Sequence, residues 1–309
     1  MRIVDVETIR GLATPQLVVT SVRSALIAHA AGDIISPPPG HLSFDSPPGD
    51  CHIKFGRDRG SPIFVIKVAT GFYDNPRRGL SSSNGLMLIL SSEDGVPLAL
   101  LDDQGWLTDA RTAAAGVVAV EACGGPRGDT LGLIGTGVQA HLQARWIAVA
   151  HGFRNIAVWG RSPTAAERMS DSLRKDGFSV TTCSTTSAVA ARALTIVTCT
   201  PSRTPLLEDS AVGREHLIVA VGADAPGKRE LDPAIVSRAH TIVCDDVAQC
   251  LNHGEIQGQS PEPTRMVALG DLLRSVAPMR PRLLTVVDLT GLPAQDIAVA
   301  TDIYWRVAR

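Results

Sequence analysis

Several broad protein classes are excluded by what this sequence lacks. It has no run of about 18 consecutive apolar residues, the length a membrane helix needs, so no spanning segment is expected. It has no basic excess: 29 Lys and Arg stand against 31 Asp and Glu, a formal net charge of -2. These charges are scattered and form no basic stripe, which argues against a nucleic-acid partner. Its six cysteines (Cys51, Cys123, Cys183, Cys199, Cys244 and Cys250) include no C-x-x-C pair. Most lie in apolar runs such as Thr241-Ile-Val-Cys244, so buried free thiols are expected and a metal site is not. Met1-Arg-Ile-Val-Asp-Val-Glu7 lacks the charged, apolar, small order of a secretory leader, and a cytoplasmic protein is the expectation. Internal repeats and low-complexity tracts are absent as well.

What remains is the composition of an ordinary globular protein, 44% hydrophobic and 19% charged. A chain of 309 residues exceeds the usual size of one hydrophobic core, which predicts two domains. Up to about residue 120 the texture is mixed. A helical pattern from Thr14 to Ala31 is followed by a proline-rich segment, Ser36 to Gly49, and by apolar runs at Ile63–Lys67 and Gly85–Leu90 that read as strands. From Thr130 short β-branched runs alternate with helical stretches: Thr130–Ile134, Asn155–Trp159, Leu194–Cys199, Leu217–Val221, Thr241–Cys244 and Leu284–Asp288. That alternation predicts parallel βαβ units. The expected fold is therefore α/β: a doubly wound Rossmann sheet over 121–292, plus an α+β substrate-binding domain over 1–120. The closing segment, Pro293 to Arg309, reads as an amphipathic helix that packs back on the first domain.

Thr130-Leu-Gly-Leu-Ile-Gly135-Thr-Gly137-Val-Gln-Ala140 runs from a strand through G-x-G-x-x-A into a helix. Gly135 suits a tight turn, Gly137 admits a close pyrophosphate, and Ala140 permits close packing of helix on strand, with the helix N-terminus facing the anion. Thr136, Val138 and Gln139 share this turn as candidate cofactor contacts, and Thr200 follows a later strand in an equivalent position. The second strand ends Val158-Trp159-Gly160-Arg161-Ser162, without the carboxylate that usually holds the ribose 2′-hydroxyl of NAD. A guanidinium beside a hydroxyl suits the 2′-phosphate, so NADP(H) is favoured, with Trp159, Arg161 and Ser162 at that end. A solvated surface arginine, with either NAD(H) or NADP(H) accepted, is the alternative.

Three charged residues stand out. Lys67 is flanked by β-branched residues on both sides, so its ammonium needs an anionic partner from protein or substrate, unless it is an edge-strand lysine reaching solvent. Arg111 opens the small-residue stretch Thr112-Ala-Ala-Ala-Gly116 and could offer a fork of donors to a carboxylate, or simply pair with Asp103 or Asp109. Asp224 follows the strand Leu217–Val221 at the edge where ligands bind in open parallel sheets. It could move a proton if burial raises its affinity for one, or merely cap the turn before Pro226.

Lys67-Val-Ala-Thr-Gly-Phe with Asn75, Pro97–Asp102, Leu107-Thr-Asp-Ala-Arg111-Thr-Ala-Ala, Gly135–Ala140, Gly222–Leu231, Gly291 and Asp296 together resemble the ornithine cyclodeaminase/mu-crystallin family. That family also holds ketimine reductases, pyrroline-2-carboxylate reductases and some alanine dehydrogenases. The resemblance implies that Lys67 and Arg111 hold a substrate carboxylate, with Asn75 nearby, that Asp224 is the catalytic acid/base alongside Lys67, and that the N-terminal domain forms a homodimer. Mu-crystallin-like members lack an aspartate at the position of Asp224, so its presence leans toward amino-acid or imine chemistry. One feature departs from the pattern: members commonly carry an arginine where this chain has Gly40 and His41, and His41 is the candidate replacement donor.

The leading expectation is reduction of an imine next to a carboxylate by NAD(P)H, or the reverse oxidation of an amino acid. The alternatives are an ornithine or lysine cyclodeaminase using bound NAD, and a crystallin-like NADP-binding protein without turnover.

Overall fold

A computed structural model describes residues 1–72, 74–275 and 282–308. The first part of the chain forms β1 (Arg2–Val4), α1 (Val6–Leu12), α2 (Pro15–Ala30), β2 (Ile34–Ile35), β3 (Gly40–Asp45), β4 (Pro48–Asp58), β5 (Ile63–Phe72), β6 (Ser83–Ser91), β7 (Pro97–Leu101) and α3 (Trp106–Ala122). Alternation follows: β8 (Thr130–Ile134), α4 (Val138–His151), β9 (Asn155–Trp159), α5 (Pro163–Lys175), β10 (Ser179–Thr182), α6 (Thr186–Ala190) and β11 (Thr195–Thr198). Then come β12 (Leu217–Ala220), α7 (Pro233–Arg238), β13 (Thr241–Cys244), α8 (Val247–His253), β14 (Met266–Ala268), α9 (Leu269–Arg274) and β15 (Thr285–Asp288), and α10 (Pro293–Ala308) closes the chain. Arg309, the last residue of the expected helix, lies outside the described residues.

The chain divides into two compact units, Met1–Arg111 with Leu292 onward, and Thr112–Gly291. The division falls inside α3, earlier than the expected boundary near 120. A small-residue helix runs straight through it, so no change of composition marks the place.

In the first unit the strands order β1-β7-β6-β5-β4-β2, with β3 paired to β4. β5 is central, between β4 and β6, and its residues alternate: Ile63, Val65 and Lys67 are buried, while Phe64, Ile66 and Val68 are only half-buried. The period of 2 therefore turns Lys67 onto the same face as Ile63 and Val65. That face carries Met87, Ile89, Ala99 and Leu101 of the neighbouring strands; α10 packs on it and α2 packs on α10, with Val18, Val22, Leu26, Val299, Ala300 and Ile303 of the two helices buried. α2 starts where the sequence signals it, with the Thr14 side chain accepting from Leu17 N and Pro15 in the first turn.

The opposite face of this sheet is also apolar, yet no element among the described residues of the unit buries it. Leu42, Phe44, Ile53 and Phe55 are all at least 39% exposed, and Ile66, Val68, Leu86, Leu88 and Leu90 continue the surface.

In the second unit all strands are parallel, in the order β10-β9-β8-β11-β12-β15-β13-β14. The central strands β11, β12 and β15 are buried along their whole length, as continuous apolar runs between helices must be. The chain first moves outward from β8 through β9 to β10, then returns to place β11 on the other side of β8. The order thus reverses between β8 and β11, where ligands lie at the carboxyl ends of such sheets. The six expected strands are present, with β10 and β14 added to them.

Candidate active site

Lys67 is 2% exposed and its Nζ donates to Asp296 Oδ2 at 2.6 Å. This excludes a solvent-reaching edge lysine and supplies the anionic partner that its apolar flanks demand. Asp296 is equally buried, in the first turn of α10, and its other oxygen accepts from Arg111 Nε at 3.1 Å. Arg111 therefore takes a partner 185 positions away, and the local pairing with Asp103 considered from sequence does not form. Asp103 instead accepts from Leu107 N at 2.8 Å near the start of α3. Arg111 Nη1 also donates to Gln295 Oε1 at 3.1 Å, while the buried Gln295 Nε2 has no hydrogen-bond partner among the described residues.

Electrostatics follow from this crowding. Burial brings the Lys67 ammonium down to about 7; Asp296 opposes the shift, and the charges of Arg111 and Lys54 add to it. Asp296 is held below the usual carboxylate range: burial works the other way, but Lys67 and Arg111 outweigh it. Burial also lifts Asp103 to about 6, against the backbone bonds it accepts from Leu107 and Gly105. Lys54 on β4 stands directly opposite Lys67 in the antiparallel register, so both side chains leave the same face of the sheet.

His41 and Asn75 stand apart from this cluster. His41 is exposed on β3, opposite His52, with the two rings 4.7 Å apart, and His52 lies 3.6 Å from Asp50. The Asn75 amide braces its own turn by donating to Ser81 O at 2.9 Å.

In the second unit, Gly135 adopts φ +131°, where an added Cβ would lie 2.8 Å from Cys199 O. A side chain is thus excluded twice, by conformation and by the neighbouring strand end. Gly137 begins α4 with no side-chain cap, and space is open where its Cβ would be. The first amides of a 14-residue helix therefore face an open cradle that suits a pyrophosphate. Ala140 is fully buried, Val138 is exposed, and Thr136 and Gln139 are half-buried. Thr136 lies so close to Gly160 that a Cβ there would meet its Cγ2 at 2.4 Å.

At the end of β9, Trp159 packs on the core and its carbonyl accepts from Gly135 N at 2.9 Å. Arg161 is exposed and has no partner among the described residues, whereas the Ser162 oxygen caps α5 by accepting from Ala165 N at 3.3 Å. Thr200 lies past β11 and is bonded through its amide and hydroxyl to Glu230. Asp224 is not buried: its side chain is 49% exposed and pairs with Lys228 Nζ at 2.6 Å. The burial that would suit it to proton transfer is missing within this unit, because the loop after β12 carries it outward.

The ornithine cyclodeaminase/mu-crystallin family model matches residues 3–309. The chain belongs to this family. It is 29% identical to iminosuccinate reductase of Paracoccus denitrificans, over 97% of this chain and 94% of that one. Among solved structures, an archaeal alanine dehydrogenase dimer with bound NAD superposes with a TM-score of 0.91, at 28% identity, covering 100% of this chain and 96% of that chain. A lysine cyclodeaminase superposes with a TM-score of 0.89, again at 28% identity, over 100% and 92%.

The structure brings Lys67 and Arg111, both singled out in the sequence, together on Asp296, and adds Gln295 and Lys54, which the sequence did not single out. Gln295 and Asp296 are adjacent inside a helix whose other buried residues are mostly apolar, and two buried polar residues there were the available signal. Where family members commonly carry an arginine, His41 is present on the sheet face that bears Lys67 and Lys54.

Proposed function

We propose that this chain reduces an imine next to a carboxylate with NAD(P)H, and oxidises the corresponding amino acid in reverse. The substrate is a cyclic ketimine such as pyrroline-2-carboxylate, or the imine of a 2-oxo acid and an amine. One observation carries the reading. Two buried cations, Lys67 and Arg111, share a single directly bonded carboxylate, and the Gln295 amide nitrogen beside them lacks an acceptor among the described residues. Buried cations and an orphaned donor favour an incoming anion, and a carboxylate matches the arginine fork. Lys67, with its proton held near pH 7, can give that proton to the imine nitrogen and recover it in the reverse direction. Asp224 is the second candidate for the proton and must first part from Lys228. The nicotinamide cofactor, when bound in the cradle of Gly135 and Gly137, supplies the hydride. Relatives named as an iminosuccinate reductase and an alanine dehydrogenase support this chemistry.

The test is loss of NAD(P)H absorbance with cyclic imino acids and with 2-oxo acids plus ammonia or methylamine. Stoichiometric consumption is expected. Ammonia release from ornithine or lysine without net consumption would instead indicate a cyclodeaminase, and binding without turnover a crystallin-like carrier.

NADP(H) is the favoured cofactor, because Arg161 is exposed, without a partner among the described residues, where NAD-preferring sites carry a carboxylate. Arg161→Ala is expected to weaken NADPH by roughly 10- to 100-fold, the worth of charge-assisted bonds to a phosphate, and NADH much less. Equal losses for both cofactors in a binding titration would remove the preference.

The uncovered apolar sheet face is the surface through which we place a homodimer, since a face of this extent is costly to leave in water. Sedimentation is expected to show a dimer, and Phe55→Glu, which puts a charge into that face, to shift it toward monomer; a wild-type monomer would contradict this. The free cysteines suit a reducing compartment, no helix among the described residues is long and apolar enough to cross a membrane, and we place the protein in the cytoplasm.

A further inference from the structure

Glu230 is fully buried in the second unit, and its carboxylate gathers four donors. Oε1 accepts from Thr200 N at 2.6 Å and Thr200 Oγ1 at 2.7 Å; Oε2 accepts from Thr198 Oγ1 at 2.7 Å and Gly222 N at 2.9 Å. These donors belong to the ends of β11 and β12. The two chain segments touch there: a Cβ on Gly222 would lie 2.2 Å from Thr200 O and 2.6 Å from Glu230 Oε2. Only glycine fits at 222 while the carboxylate stays in place.

The carboxylate is itself held from behind. Glu255, also buried, accepts from Glu230 N at 2.7 Å and from Leu231 N at 3.2 Å. Gln257 secures the far end of the intervening loop, accepting from Gly227 N at 2.7 Å and donating to Lys228 O at 2.8 Å. The loop of residues 222–229, which carries Asp224, is thus tied at both ends. Thr200 is a candidate cofactor contact on one side of the staple, and Asp224 is on the other.

We propose that Glu230 is a positioning residue for the nicotinamide cofactor: its carboxylate staples the ends of β11 and β12 and so fixes the backbone of Thr200 and the Asp224 loop at the sheet's ligand-binding edge. This rests on the cofactor reading given above. A structural strut would serve stability alone, whereas a staple whose donors lie at the ligand edge must be felt in cofactor affinity. It must also be felt in the protonation state. Burial pushes the Glu230 carboxyl up to about 7 against the bonds from Thr200, Thr198 and Gly222. The titratable groups facing it are Glu255, pushed by burial to about 8, Asp288, pushed by burial to about 7, and the Cys199 thiol. A proton on Glu230 turns one acceptor oxygen into a donor and breaks the four-donor arrangement.

The experiment is NADH titration, by fluorescence, of the unaltered protein and of Glu230→Gln between pH 6 and 9, with thermal melting of both. NADH is chosen because it lacks the titrating 2′-phosphate. At pH 8 the variant is expected to bind about tenfold or more weakly, the effect of losing a charge-assisted acceptor. The unaltered protein is expected to lose affinity as the pH falls through about 7, and the variant to show no such limb. A variant that melts earlier but binds NADH with unaltered affinity at every pH would reduce Glu230 to a strut. If the variant does not fold, a flat affinity profile of the unaltered protein has the same consequence. Binding of neither NADH nor NADPH by the unaltered protein at any pH would remove the cofactor reading, and this inference with it; if only NADPH binds, the same comparison is read from NADPH.

Discussion

Lys67→Met is expected to lower kcat/KM for imine reduction by about 10²- to 10⁴-fold, the usual worth of a positioned proton donor, while NADPH still binds. The substitution keeps the apolar stem between Val65 and Ala69 and removes only the ammonium. The sign of the pH dependence follows from the depressed proton affinity of this group. Its folded-state value of about 7 means that the donating form dominates below pH 7 and is lost above it. Reduction in the unaltered enzyme should therefore decline as the pH rises through about 7, and oxidation in reverse should gain over the same interval. Lys67→Arg, which stays charged throughout, should lose that decline. A pH–rate profile of Asp224→Ala that keeps the limb assigns it to Lys67; loss of the limb there, with Lys67→Met unaffected, would transfer the proton to Asp224.

Asp296→Asn is expected to destabilise the protein by about 3–5 kcal/mol in urea unfolding, because it leaves two buried cations without their shared anion. The loss should be larger at pH 6 than at pH 8.5. Below about 7 the unaltered protein holds Lys67 charged against Asp296, a stabilisation the variant forfeits because that carboxylate supports the lysine's proton; above it the unaltered lysine has already shed its proton and only Arg111 feels the loss. A loss under 1 kcal/mol at pH 6 would mean that Asp296 is not what holds these charges in the interior. A bound substrate carboxylate or carboxylate analogue should restore part of the stability, since it brings the same charge to the same fork.

The second unit was legible because its signals are local. A strand, G-x-G-x-x-A and a helix stand within the run from Thr130 to His151, and each β-branched run from Asn155 to Asp288 announces itself over a few residues. β10 and β14 were missed for the same reason: Ser179-Val-Thr-Thr is polar at both ends and Met266-Val-Ala is three residues long, so neither carries a period. The ionic cluster was legible only by half. The β-branched flanks of Lys67 demand an anion, but Asp296 lies 229 positions away and reaches it only through the packing of α10 on the first sheet. The same limit hid Glu230, whose partners Thr198, Thr200, Gly222 and Glu255 are spread over separate strands and loops. Asp224 shows the converse: its place after β12 was correctly anticipated, yet the exposure and ion pairing of its side chain depend on Lys228 and on the turn at Gly227, which position along a strand does not reveal.

Isotope transfer is the most direct measurement. The enzyme would be given NADPH deuterated at the transferable C4 position, with a 2-oxo acid and ammonia or with a cyclic imino acid, and the amino-acid product examined by mass spectrometry. Hydride delivery to the imine predicts one deuterium on the carbon that bears both the amino group and the carboxylate, with NADP⁺ formed in equal amount. Amino acid formed without that deuterium, or NADPH left unconsumed across the whole panel, would contradict imine reduction as the function of this chain.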